Sequence, residues 1–261
     1  MFLNAFFFVL GTIVGSFLNV VILRSGREYL SGRSECFSCG KKLHWYELLP
    51  ILSFLFLGGR CLSCKSRISW QYPLVELGTG LLFLFTFIIN RALLSASAGL
   101  ILLLIDLVAI STLVVIFVYD LKHKIIPDGA VYTFIIVSLI KFFIFNLSLA
   151  NFYGLLFVFL FIFSIWFFSH GAWMGFGDVK LALGIGAFLP VASSISAITI
   201  GFWAGAFLSI IILLLQRFPS LKIASKTLTI KSEIPFGPFL VIGILTAYFF
   251  GFDIFGIGLL L

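Results

Sequence analysis

The sequence predicts an all-α polytopic membrane protein, and three observations carry that prediction. Of 261 residues, 62% are hydrophobic and only 10% charged, at a mean hydropathy of +1.23. The apolar residues form continuous runs of ~20, the length that crosses a bilayer as a helix. Continuous rather than alternating runs exclude an outer-membrane barrel. The Lys and Arg residues collect in a few segments between the runs, which is the positive-inside pattern.

Eight candidate spans follow in order, at 4–23, 73–90, 98–119, 129–146, 152–169, 179–190, 194–215 and 237–258. The first has no Lys or Arg before it and several after it. A secretory signal has the reverse order, so this run reads as a mature span with its N-terminus outside. The sixth is short and rich in small residues (Ala182, Gly184, Gly186, Ala187). Such residues let a helix lie close against its neighbours, and the run reads as a tilted or incomplete crossing. With eight spans, 15 of the 17 Lys and Arg residues fall on one side, and only Arg91 and Lys141 fall elsewhere. The net charge of +7 is therefore topology, and no nucleic-acid partner is expected. Membrane lipid surrounds the chain.

Between the first two spans lies the one sizeable polar segment. The expected organisation is a first helix at 1–24, a cytoplasmic insert at 25–72 and a membrane domain at 73–261. An insert of this size needs a staple. It holds all four cysteines, as Cys36-x2-Cys39 and Cys61-x2-Cys64. Each pair is a knuckle that aims two thiolates at one tetrahedral ion, and a structural Zn²⁺ is expected. A reducing compartment argues against disulfides. Gly40 suits the tight knuckle turn. Four cysteine ligands leave no open position for catalysis. The apolar stretch Leu48–Leu57 is too short to span and is expected in the interface or packed on the membrane domain.

The chemistry points to two aspartates. Asp120 ends the third span and Asp178 begins the sixth. A carboxylate close to hydrocarbon is a functional candidate by default. Two at one membrane face suggest a pair that shares a proton. Asp120 stands at a helix C-terminus, whose partial negative charge favours the protonated acid. Asp178 stands at an N-terminus, which favours the carboxylate. Asp120 is then the acid and Asp178 the base. Gly175 and Gly177 lack a Cβ and leave room for a substrate backbone near Asp178. Asp128, after Pro127, reads as a helix N-cap. Asp106 reads as snorkelling or paired near the outer face. For Glu76 two readings stand, a functional carboxylate or an anchor for the insert.

Taken together, Gly15-Ser16-Phe17-Leu18-Asn19, the two knuckles, Tyr72-Pro73-Leu74-Val75-Glu76, Asp120 with Ile126-Pro127-Asp128, Gly175-x-Gly177-Asp178-x-Lys180 and Ile234-Pro235-Phe236-Gly237-Pro238-Phe239 resemble the bacterial type IV prepilin peptidases, GxGD membrane aspartyl proteases. The resemblance implies an inner-membrane enzyme that cleaves the basic leader of prepilins or pseudopilins at the cytoplasmic face. It implies N-methylation of the new N-terminal residue with S-adenosylmethionine, an activity the family links to the insert. Asp120 and Asp178 match the family's catalytic aspartates, with Gly175, Gly177, Lys180 and Glu76 in supporting positions.

Two rival readings remain from the residues alone. A proton- or cation-coupled transporter would use the same aspartates, but it predicts inverted repeats that the chain lacks. A non-enzymatic scaffold would use the insert and leave the aspartates unexplained.

Overall fold

The computed structural model describes residues 2–24, 32–95, 98–216 and 235–256. Arg27, Arg217, Lys222, Lys226, Lys231 and Ile234 lie outside the described residues. The chain forms two compact units, Met1–Val115 and Ile116–Leu261.

In the first unit, α1 (Phe2–Arg24) packs against α3 (Gln71–Asn90), with the short α2 (Leu52–Phe56) between them in sequence. Their shared face is small and polar. Gly11, Thr12, Gly15 and Asn19 of α1 are buried, as are Glu76, Thr79 and Gly80 of α3. Phe2, Phe6, Ile13 and Phe17 point outward. This inversion suits a lipid solvent, where small residues bring backbones together and apolar bulk faces the acyl chains. A Cβ on Gly11 would stand 2.8 Å from the Gly80 Cα, and one on Gly15 would stand 2.8 Å from the Glu76 Cα. The Gly11-x-x-x-Gly15 spacing was open to a sequence reading as a packing motif. α4 (Gly99–His123) begins in this unit. Its buried Asp106 accepts from Asn90 Nδ2 at 3.2 Å, so this intramembrane carboxylate is paired, as expected.

The second unit holds the end of α4, α5 (Asp128–Phe145), α6 (Leu149–Phe168), α7 (Phe176–Phe188), α8 (Val191–Gln216) and α9 (Gly237–Phe250). α7 lies at its centre, in contact with α5, α6, α8 and α9. The small residues expected to permit close approach do so. A Cβ on Gly184 would stand 2.5 Å from the Phe134 ring, and one on Gly186 would stand 2.7 Å from the Leu155 Cα. At 13 residues α7 is about 20 Å long.

Each of the eight expected spans contains a helix. Six of these helices are long and apolar enough to cross a membrane: Phe2–Arg24, Gln71–Leu94, Gly99–His123, Asp128–Phe145, Leu149–Phe168 and Val191–Ile212. α9 is apolar but shorter. It stops at Phe250 rather than at 258, because Gly251 takes a left-handed φ of 60° and caps the helix. Lys141, one of the two basic residues off the majority side, is buried in α5 with Nζ 3.9 Å from the Phe188 ring centroid. A cation over an aromatic face offsets part of the cost of burying it.

Candidate active site and metal centre

The two aspartates come together within the second unit. Asp120 lies in the last turn of α4 and is 3% exposed, while Asp178 is the third residue of α7 and is 7% exposed. They are close enough for the charge of Asp120 to act on Asp178.

Each carboxylate meets a helix N-terminus. The Gly237 N–H, first in α9, donates to Asp120. Asp178 stands in the first turn of its own helix and accepts from the Gly175 N–H. The unpaired N–H groups of a first turn favour negative charge. The positive end of α9 therefore offsets the negative end of α4 at Asp120. The dipole of each residue's own helix does not by itself divide acid from base. Among the described residues, Asp178 Oδ1 is buried with no hydrogen-bond partner. A buried polar atom of that kind calls for a functional explanation.

Three small contacts set the geometry. A Cβ on Gly237 would lie 2.5 Å from Asp120 Oδ2, and one on Gly177 would lie 3.0 Å from the Ile126 Cβ. The same Ile126 reaches to 3.3 Å from the Gly237 position. Ile126 is thus wedged between the glycine neighbours of the two aspartates. Gly177 is needed for this packing as much as for room beside Asp178. Gly237 and Ile126 are site residues that the sequence reading quoted without a role. The signal was there, in a glycine at the start of an apolar run. Gly237→Ala should lower turnover on the order of 100-fold, because it displaces the Asp120 carboxylate by a fraction of a bond length or more. Steady-state cleavage rates of the purified variant, against unchanged thermal unfolding, test this.

Asp128 is not an N-cap. Pro127 occupies the cap position and Asp128 is the first helical residue. Its carboxylate, on the surface, accepts from Lys180 Nζ at 2.6 Å. Lys180 also lies 4.7 Å from the Tyr132 ring centroid, so it ties α7 to α5 two residues beyond Asp178.

The four cysteines converge within the first unit. Their sulfurs all lie within 4.8 Å of one another, and all four are free thiols. Cys36 Sγ and Cys64 Sγ are 3.8 Å apart. A tetrahedron with metal–sulfur bonds of ~2.3 Å has edges of about 3.8 Å. The two knuckles repeat one another. Gly40 N–H bonds the Cys36 carbonyl and Lys65 N–H bonds the Cys61 carbonyl, at 2.8 and 3.1 Å. The bridges Glu35–Lys42 and Arg60–Arg67 close them. The residue after each second cysteine is left-handed, Gly40 at φ 68° as expected and Lys65 at φ 58°. Backbone N–H groups of Cys39 and Ser38 pull the Cys36 thiol down to about 6, while burial and the neighbouring Cys36 and Cys64 sulfurs push the Cys39 thiol up to about 11. Beside the knuckles, the His44 N–H and then Lys41 hold the Glu47 carboxyl below its ordinary range.

Glu76 joins α3 to the insert. Its Oε2 accepts from the Ile51 N–H at 2.7 Å, and Ile51 has a left-handed φ of 60°. The bond fixes a strained turn of the insert to α3. Asn19 of α1 joins the same seam, since its amide bonds the Tyr72 carbonyl and accepts from Gln71.

Residues 9–89 match the Bacterial Peptidase A24 N-terminal domain family, and residues 107–210 match the Type IV leader peptidase family. A prepilin leader peptidase/N-methyltransferase of Pseudomonas aeruginosa is 32% identical over 278 residues, covering 90% of this chain and 86% of that protein. One of Bacillus subtilis is 32% identical over 253 residues, covering 94% of this chain and 93% of that protein. One of Myxococcus xanthus is 47% identical over 124 residues, which is 47% of this chain and 35% of that protein. No solved structure matches the chain.

Proposed function

This chain belongs to the type IV leader peptidase family and is a multi-pass membrane peptidase with methyltransferase activity, and from that premise we propose that it removes the basic leader of prepilins or pseudopilins at the cytoplasmic face of the inner membrane. The reaction is hydrolysis by the Asp120–Asp178 pair. The ionised carboxylate takes a proton from water as the water oxygen bonds to the scissile carbonyl carbon. The protonated partner gives its proton to that carbonyl oxygen, and collapse of the tetrahedral species expels the amine as it is protonated. The observation that carries this reading is the pair itself, two buried carboxylates within electrostatic reach, one with an oxygen left without a partner.

The new amine, usually of a Phe, is then methylated, with S-adenosylmethionine as the methyl donor. We assign this step to the insert at 25–72, held by one Zn²⁺ on Cys36, Cys39, Cys61 and Cys64, and proteolysis to 73–261. Glu76 is a positioning residue for the insert.

The experiment is an assay of purified protein on a peptide with a basic leader, a Gly-Phe junction and a hydrophobic tail. Mass spectrometry should find the leader removed at Gly-Phe, and a further 14 Da on the product when S-adenosylmethionine is present. Cleavage elsewhere, or none, overturns the assignment. Orientation is tested by labelling single cysteines from outside the cell, in a background free of the native four. Ser95 should label and Ser225 should not. Outside labelling at Ser225 would break the eight-span topology.

A further inference from the structure

A shallow groove on the insert has no part in the chemistry above. It encloses about 530 Å³ and is lined by Leu55, Gly58, Gly59, Arg60, Arg67 and Trp70, among others. We propose that it holds the phosphate head group of an anionic phospholipid, locking the insert onto the membrane surface.

Four observations support this. Arg60 and Arg67 face each other across an antiparallel bridge, and opposed residues of such a pair project to the same side. Both are exposed, and neither has an acidic partner among the described residues. Second, the surroundings leave their charge uncancelled. Residues 32–70 carry six Lys and Arg against two Glu, and one of those, Glu47, is taken by Lys41. Third, two lining residues, Leu55 and Trp70, and the adjoining Phe56 are apolar and bare. Phe56 is 86% exposed, Trp70 68% and Leu55 65%. Cationic side chains beside aromatic and aliphatic ones match the boundary between head groups and acyl chains. Fourth, the groove sits where a span begins. Trp70 directly precedes α3, and the Glu76–Ile51 bond ties the start of α2 to the same helix. Gly58 and Gly59, both left-handed, turn the chain back so that Arg60 follows α2 closely.

The recognition is of a phosphodiester anion by two guanidinium groups, with Trp70 and Leu55 against the upper acyl chain. It does not depend on the peptidase reading, because lipid occupancy rather than cleavage is measured.

The test uses the full chain in detergent, titrated with phosphatidylglycerol or phosphatidylcholine and followed by native mass spectrometry. The wild type should bind phosphatidylglycerol more tightly by on the order of 10-fold. The double variant Arg60→Gln with Arg67→Gln should lose that preference while keeping its metal content. Arg91→Gln, remote from the groove, should keep the preference. Trp70→Ala should weaken both lipids alike. A preference that survives the double variant overturns the proposal. So does displacement of phosphatidylglycerol by S-adenosylmethionine, which would make the groove a cofactor site instead.

Discussion

Asp120→Asn and Asp178→Asn should each abolish leader cleavage while the protein still inserts and unfolds at its usual temperature. Asn keeps the shape of the side chain and cannot exchange a proton. Loss of one general acid or base alone is expected to cost about 10²–10⁴-fold. The cost here should lie at the upper end or beyond, because each carboxylate works through the protonation state of the other. The two residues act as one unit, so the double variant should be no worse than either single one. Cleavage rates for the three variants decide the matter. A single variant within tenfold of the wild type would remove that residue from the chemistry. A double variant far worse than both would mean that the carboxylates act independently.

The second large effect concerns the thiolates. Chelating the metal, or changing Cys36 to Ser, should unfold the insert and reduce methylation on the order of 10-fold or more, while cleavage changes little. The insert has a small apolar interior, in which Phe54 and Cys61 are buried. An ion on the four sulfurs would add its binding energy to the folding energy of the insert. The aspartates lie in residues 116–261 and the cysteines in 1–115, in separately packed units. Elemental analysis should give one Zn²⁺ per wild-type chain. Equal loss of both activities on metal removal would contradict the division of labour.

Much of this was legible from residue order, for identifiable reasons. Hydrophobic runs set the helices, because a membrane span needs length and apolarity more than any tertiary partner. Cys-x2-Cys fixes local knuckle geometry, and the second knuckle reproduces the first even though Lys65 replaces glycine at the left-handed position. Asp120 and Asp178 stood out because carboxylates are costly there. What stayed hidden was the contact between elements far apart in sequence. The Gly237 N–H reaches Asp120 from more than a hundred residues away. That contact also removes the simple division of acid from base, which rested on each residue's own helix. Ile126 stood in a quoted motif, but nothing local showed that it packs against both Gly177 and Gly237. Asp128 had every local mark of a cap, and only the approach of Lys180 showed it as half of an ion pair.

The shortness of α7 bears on how the enzyme meets membranes of different thickness. A lipid-facing helix of about 20 Å in a ~30 Å hydrocarbon layer would have to tilt or draw the leaflets together. α7 is spared this, because most of its residues are buried and four neighbouring helices enclose it. Mismatch with the bilayer acts first on the longer α5, α6 and α8, whose outer faces carry Phe143, Phe157 and Trp203. Lengthening or shortening the acyl chains can then reach Asp178 only through rigid, closely packed backbones. Protein contacts such as Gly184 on Phe134 hold α7 at its depth, so a change in lipid thickness is expected to move Asp178 little.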